Sequence, residues 1–170
     1  MTAICFTVPG KPQGKARART YYNAKKKAMS STTPDKTVLY ENFIATRYME
    51  AAGEQRFSDG AYIKARIQAF YEIPKSSSKV KKTAMLSGEL LPTKKPDIDN
   101  IVKAVLDALN EVAYRDDTQV VELQVRKQYS ERPRLEICNE RLEEFLSFEK
   151  GKDQEGRSKE YFAYQMFAGH

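Results

Sequence analysis

Acidic side chains and a lysine stand close together in residues 95–103, which read KPDIDNIVK. Asp97 and Asp99 are separated by one residue, and the proline before them favours an extended chain, so the two carboxylates can point the same way. Lys103 follows, and a second acidic pair, Asp116-Asp117, comes later. Carboxylates that converge at a helix N-terminus form a site for a hard cation such as Mg²⁺. This spacing therefore predicts cation-assisted chemistry.

Each of these residues also has an ordinary structural interpretation. Asp97 or Asp99 could cap the following helix, because aspartate is a favoured N-cap residue. Lys103 could pair along the helix with Asp99 or Asp107, and we favour Lys103 as the partner of Asp107. The Asp116-Asp117 pair could be a turn. Taken singly, each residue fits these explanations; the combination favours a site.

Hydrophobic periodicity predicts the elements that position this motif. A helix is expected to open at Thr33-Pro34, with threonine as the N-cap and proline as the first helical residue. The order of elements indicates a single α/β domain whose mixed sheet is covered by two main helices. The predicted strands are 3–8, 61–73, 118–129 and 133–138, the predicted helices are 33–53, 79–86 and 99–112, and a basic loop occupies 10–32.

The chain carries a formal net charge of +6 and has a pI of about 9.2. No acidic residue precedes Asp35. Charged loops are usually just solvated, but basic loops with interleaved aromatic residues beside an acidic motif favour contact with a phosphate backbone. The predicted nucleic-acid contacts are Lys11, Lys15, Arg17 and Arg19 in the first loop, and Lys75, Lys79, Lys81 and Lys82 in a later Ser-rich segment.

Composition argues against several classes of protein. No apolar run approaches the roughly 20 residues that a membrane-spanning helix needs. The first residues lack the basic start and apolar core of a signal peptide, which predicts a cytoplasmic protein. The only histidine is His170, which argues against zinc hydrolases and a histidine general base. Cys5 and Cys138 are expected to be two buried free thiols.

The stretch KPDIDNIVKAVLDALNEVAYRDDTQV resembles the RusA family of Holliday junction resolvases, including phage-borne members. The shared pattern is K/R-x-D-h-D-N-h-x-K, then a D-A-L helix, then D-D-x-Q-h opening a strand. The segments VPGKP at 8–12 and TPDKT at 33–37, with the lysine-rich block 74–82, are similar to family features as well. The resemblance covers a domain of residues 1–138. Residues 139–170 are predicted to form an extension, with a helix over 140–150 and an aromatic tail.

The resemblance implies an endodeoxyribonuclease that resolves four-way junctions by paired symmetric nicks in DNA recombination and repair. Mg²⁺ is the expected cofactor, with Mn²⁺ as a substitute, and neither a membrane nor a small-molecule cofactor is expected. The metal ligands carried over are Asp97, Asp99 and Asp117, with Asp116 as the fallback if the register is one residue off. Lys103 matches the family's essential lysine, which would stabilise phosphate charge or orient the nucleophile.

A homodimer is expected from the geometry of the motif. A helix over 99–112 carries the chain about 20 Å away from Asp97 and Asp99. Asp117 therefore reaches them more easily from a second subunit, and two equivalent sites suit a reaction with two nicks. The alternative is a bent or shortened helix, which would let one chain supply all three aspartates to the same site.

Lys127 is an auxiliary candidate. It shares a strand face with the apolar residues Val121, Leu123 and Val125. Its ammonium either emerges into solvent or points toward the acidic cluster or the DNA, and RusA family members commonly carry a lysine at this place.

Two other functions remain open. One is a metal-dependent nuclease of other branched or nicked DNA. The other is a non-enzymatic DNA-binding module in which the aspartates act only as helix caps. A comparison of branched and linear substrates, with and without Mg²⁺, separates all three.

Overall fold

The structure is a computed structural model that describes residues 3–25 and 27–142. Six strands and three α-helices follow one another along this part of the chain. They are β1 (Ala3–Pro9), β2 (Arg19–Asn23), β3 (Ala28–Thr32), α1 (Asp35–Ala52), β4 (Ile63–Glu72), α2 (Lys79–Leu86), α3 (Ile98–Leu109), β5 (Val120–Ser130) and β6 (Arg134–Arg141), with a 3₁₀ turn at Asp117–Gln119 before β5.

Four strands form one mixed sheet in the order β1-β6-β4-β5. The β4–β5 pair is parallel, and the β1–β6 and β4–β6 pairs are antiparallel. Parallel neighbours need a crossover connection, and residues 73–119 provide it here. This crossover contains α2, the acidic motif and α3, so the motif lies in the segment that links the two parallel strands.

Helices α1 and α3 cover one face of this sheet. The strict alternation in β4 places Ile63 and Ile67 in the core, where both are fully buried. Amphipathic α3 buries Ile101, Val105 and Leu109 against the same face. The predicted mixed sheet with two main helices is therefore confirmed.

Three local predictions differ from the structure. The basic loop predicted for 10–32 contains a β-hairpin, in which β2 pairs antiparallel with β3 to form a separate two-stranded sheet. Helix α1 begins at Asp35 with Pro34 in the cap position, one residue later than predicted. Helix α3 ends at Leu109 rather than at residue 112, because the backbone turns extended at Asn110 and takes a positive φ of 60° at Glu111.

The prediction of two buried free thiols was wrong. Cys5 and Cys138 are directly opposite each other in the β1–β6 pair, and they form a disulfide with a Cα–Cα distance of 4.0 Å. Opposite residues in an antiparallel pair project to the same side of the sheet, which a separation of 133 residues in sequence does not reveal. Cys5 is exposed rather than buried.

Strand β6 continues beyond the predicted domain boundary at residue 138. It runs to Arg141, and the amide of Leu142 donates to the carbonyl of Tyr62 at 2.8 Å. The helix predicted from residue 140 therefore does not include Glu140 or Arg141. The remainder of the predicted extension, residues 143–170, lies outside the described residues.

None of the helices formed by residues 3–25 and 27–142 is long and apolar enough to cross a membrane.

Candidate functional site

The first two carboxylates lie at the N-terminus of α3. Asp97 occupies the N-cap position with extended backbone, φ −73° and ψ 157°, but its side chain makes no capping hydrogen bond. Asp99 lies within the first turn, so it is helical rather than extended as the sequence predicted. Both side chains are exposed. The positive end of the helix macrodipole favours negative charge here, and neither carboxylate is used as a cap.

Two side chains from the sheet hold the backbone immediately before Asp97. The Lys127 ammonium donates to the carbonyl of Pro96 at 3.1 Å and also to that of Lys94. The Tyr71 hydroxyl donates to the same Pro96 carbonyl at 3.1 Å. Of the two alternatives for Lys127, the structure supports the one directed at the acidic motif, although its contacts are with the backbone and not with a carboxylate.

Tyr71 was not among the residues predicted from the sequence. Its ring lies on the core face at the end of β4, and the Lys127 ammonium is 5.1 Å from the ring centroid. Burial raises the pKa of Tyr71 to about 12, with smaller contributions from Tyr40 and the Asp97 charge. Tyr71 is the last residue on the buried face of β4. A buried tyrosine usually needs a hydrogen-bond partner for its hydroxyl, and this requirement was the signal available in the sequence.

A segment from the N-terminal part of the chain packs against the acidic motif. We call residues 13–16 the strap. The amide of Lys15 donates to the carbonyl of Asn100 at 2.8 Å. A Cβ added to Gly14 would lie 2.8 Å from the Cβ atoms of both Pro96 and Asn100, which is closer than real Cβ contacts. Only glycine allows the strap to approach this closely.

The side chain of Lys15 is part of an internal ion-pair group. Its ammonium contacts the carboxylates of Asp107 on α3 and Glu41 on α1, the latter at 3.1 Å. Burial alone would lower the pKa of Lys15, but the hydrogen bonds and charges of Asp107 and Glu41 outweigh it and raise that pKa. The predicted Asp107–Lys103 pair was therefore wrong, and Lys103 is exposed. The Lys15 ammonium is engaged by protein carboxylates, which does not favour the predicted DNA contact.

Replacing Lys15 by methionine is expected to lower the free energy of unfolding by about 1–2 kcal/mol, because two partly buried carboxylates then lose their shared cation. Urea unfolding measures this change. Lys11→Met is the matched control from the same loop: Lys11 pairs with Glu72 at 3.0 Å, but 77% of its side chain is exposed, so its loss should change stability little. Equal changes in both variants would contradict an internal role for Lys15.

The other predicted DNA contacts lie in separate segments of the chain. Lys75 precedes α2, whose Lys79, Lys81 and Lys82 are exposed, as is Arg17 after the strap. Arg19 is the first residue of β2. Lys94, next to the acidic motif, lies 5.5 Å from the ring centroids of both Tyr71 and Tyr129.

The second acidic pair lies beyond the other end of α3. The Asp116 carboxylate caps the 3₁₀ turn by accepting from the amide of Thr118 at 3.0 Å. Hydrogen bonds from the side chain and then from the amide of Thr118 lower the pKa of Asp116. Asp117 lies near Tyr114: burial raises the pKa of Tyr114, and the Asp117 charge is the next cause. Because Asp116 already acts as a cap, Asp117 is the better candidate ligand.

The three predicted metal ligands are not brought together within one chain. Among residues 3–25 and 27–142, no three acidic, histidine or cysteine side chains are close enough to hold a metal ion jointly. The twelve residues of α3 separate Asp97 from the second pair by about 18 Å of helix. We refer to Asp97 with Asp99 at one end of α3, and to Asp117 beyond the other end, as the two predicted half-sites.

Two comparisons with known proteins identify the family of the chain. Residues 9–138 match the family described as endodeoxyribonuclease RusA. The chain is also 38% identical over 139 residues to the uncharacterised protein YqaN of Bacillus subtilis (strain 168), a match that covers 81% of this chain and 95% of the relative. The chain therefore belongs to the RusA endodeoxyribonuclease family, whose members are hydrolases that resolve Holliday junctions.

Proposed function

We propose that this chain is a Mg²⁺-dependent endodeoxyribonuclease that resolves four-way DNA junctions as a homodimer, by two symmetric nicks, during recombination and repair. Mn²⁺ is the expected substitute ion. The observation that carries this proposal is the state of Asp97: it stands at the helix N-cap, yet its carboxylate is exposed and makes no cap. A carboxylate at this position that makes no capping hydrogen bond has its oxygens available to bind a cation.

The donor set fits a hard cation. Asp97, Asp99 and Asp117 offer only carboxylate oxygens, the ligands that Mg²⁺ prefers, and the described residues include no histidine. We propose these three aspartates as the ligands. A bound divalent cation would activate water and relieve charge on the phosphate and the leaving oxygen.

The remaining chemistry belongs to the chain's own residues. Lys103 lies one turn beyond Asp99 on α3, so its exposed ammonium can reach a phosphate held beside the carboxylates. There it would stabilise the negative charge that grows on the phosphoryl oxygens in the transition state. Lys127 and Tyr71 would keep the Asp97 carboxylate in place through the Pro96 carbonyl.

Lys103→Ala is expected to reduce turnover by about 100-fold while junction affinity stays near normal, because the lost charge acts mainly on the transition state. Single-turnover cleavage and gel-shift titration measure the two quantities separately. Lys82→Ala is the matched control, an exposed helical lysine in the proposed DNA-contact set, and should weaken binding instead. Equal losses of turnover and affinity in Lys103→Ala would show that Lys103 contacts a phosphate to bind DNA and does not act on the transition state.

The proposed dimer is supported by an exposed strip along β5. This strand is an edge of the sheet, and no further strand pairs with its outer side among the described residues. Its Val121 and Leu123 side chains are 55% and 42% exposed. An unpaired, apolar edge strand is a surface on which a second chain can dock. Because β5 begins directly after the 3₁₀ turn of Asp117, a subunit docked here would lie beside that carboxylate.

We place the reaction in the cytoplasm, because a resolvase acts where recombining DNA lies.

The proposed DNA contacts are the predicted basic residues without Lys15. The contact set is Lys11, Arg17, Arg19, Lys75, Lys79, Lys81 and Lys82.

Cleavage of defined substrates tests the proposal. A four-way junction, a flap and a linear duplex are each incubated with the protein, with and without Mg²⁺. We expect paired, symmetric cuts in the junction that need the cation, and little cutting of linear duplex. Preferential cutting of the flap would show a nuclease of other branched DNA, and cation-independent cutting would refute the carboxylate chemistry.

A further inference from the structure

Strands β2 and β3 form a two-stranded ribbon, residues 19–32, that is separate from the main sheet. Tyr22 and Met29 are directly opposite each other in this ribbon. They project from the same face and are 63% and 66% exposed. Tyr21 and Ser30, the next pair, belong to the other face. One face of the ribbon therefore presents a large aromatic and a flexible apolar side chain to solvent.

Charge around this apolar pair identifies the partner that it suits. Residues 1–34 contain no aspartate or glutamate, and the ribbon and its approach carry only cations. A surface meant for another protein's apolar face does not need this uniform positive charge. Nucleic acid offers both features that the ribbon matches, phosphates for the cations and base faces for the apolar pair. A two-stranded ribbon is also a shape that the major groove of DNA admits.

The ribbon follows, within a few residues, a segment that packs against the proposed cutting site. Its first strand begins shortly after the strap, which packs against Pro96 and Asn100 on either side of the acidic pair. Lys15 fixes the strap to α1 and α3 through Glu41 and Asp107. The position of the Tyr22–Met29 pair is thus coupled to that of Asp97 by a few residues of anchored backbone.

We propose that Tyr22 and Met29 insert against the unstacked bases at the branch point of the junction, and so make the enzyme select branched over linear DNA. Apolar side chains can enter between base steps, but in linear duplex the insertion must first break stacking. At a branch point that stacking is already interrupted, and the pair binds at lower cost. The inference rests on the proposed junction cleavage and assigns its structural selectivity to this face of the ribbon.

Binding measurements test this directly, in Mg²⁺-free buffer so that no substrate is cut. Junctions carrying 2-aminopurine either at the branch point or within an arm are titrated with wild-type protein, Tyr22→Ala/Met29→Ala, Tyr22→Phe and Tyr62→Ala. Tyr62 is the matched control, a tyrosine 46% exposed that precedes β4 and lies outside the ribbon.

The double variant is expected to bind the junction about tenfold more weakly, while its affinity for linear duplex changes less than about twofold. It should also lose the fluorescence change of the probe at the branch point but not within the arm. Tyr22→Phe and Tyr62→Ala should behave as wild type. Circular dichroism and sedimentation of each variant accompany the titrations.

The possible failures are distinguishable. If wild-type protein shows no preference for junctions, the proposed function itself fails. If wild type selects junctions and the double variant selects them equally well, the branch-point role of the ribbon is refuted. A double variant that dissociates into monomers and loses all DNA binding together would also refute it, because the pair would then be a contact between protein subunits.

Discussion

Asparagine at Asp97, Asp99 or Asp117 is expected to abolish junction cleavage, by at least about 1000-fold, while leaving junction binding intact. Each substitution removes one anionic oxygen ligand but keeps the size of the side chain. Removing negative charge also cannot weaken the attraction to phosphate. Cleavage of a labelled junction and gel-shift titration measure the two effects.

Asp116→Asn is the matched control for these variants. Asp116 accepts a hydrogen bond from Thr118 and caps the 3₁₀ turn, and asparagine caps almost as well as aspartate. We therefore expect cleavage to persist in Asp116→Asn. Loss of cleavage in Asp116→Asn, with cleavage retained in Asp117→Asn, would show that the match to the family motif is one residue off at the second acidic pair. Full activity in Asp97→Asn or Asp99→Asn would refute the proposed site.

Mixing two inactive proteins, Asp97→Asn and Asp117→Asn, is expected to restore nicking. The reason is the separation of the two half-sites by the length of α3. If each site combines Asp97 and Asp99 of one subunit with Asp117 of the other, a mixed dimer has one site with every ligand and one site with two defects. Random exchange then gives about a quarter of the wild-type sites. Nicked junctions, with only one strand cut, should be the main product.

Asp97→Asn mixed with Asp99→Asn provides the control. Both substitutions lie in the same half-site, so no arrangement of these subunits yields an intact set, and the mixture should stay inactive. If the first mixture is also inactive after subunit exchange has been verified, each chain closes its own site and the shared-site model is wrong.

Local patterns predicted most of the secondary structure. The alternation of residues 61–73 identified β4, and the predicted helix 79–86 has the bounds observed for α2. These signals succeed because they depend on which face of a single element is buried. The β2–β3 ribbon was missed for the same reason: neither face is buried in a core, so its sequence lacks the apolar alternation that marks a strand.

The candidate site was predicted less completely, because its supporting contacts connect distant parts of the chain. In the sequence, Lys15 is one of several basic residues in the first loop. Its ion pairs with Glu41 and Asp107 become visible only in the folded chain. The close approach of Gly14 to Pro96, and the support of Pro96 by Tyr71 and Lys127, are likewise long-range. A motif defines the reacting groups, but the groups that orient them depend on packing.

The chain order of these elements has a consequence for how such enzymes can diversify. The carboxylates and Lys103 all lie in the crossover between β4 and β5, whereas the ribbon lies in the connection between β1 and α1. The strap precedes the ribbon in the chain and contacts the crossover at Pro96 and Asn100. Substitutions or insertions in the ribbon can therefore change which DNA shapes are accepted without rebuilding the catalytic crossover. A chimera that exchanges residues 19–32 between relatives would transfer substrate preference as a module.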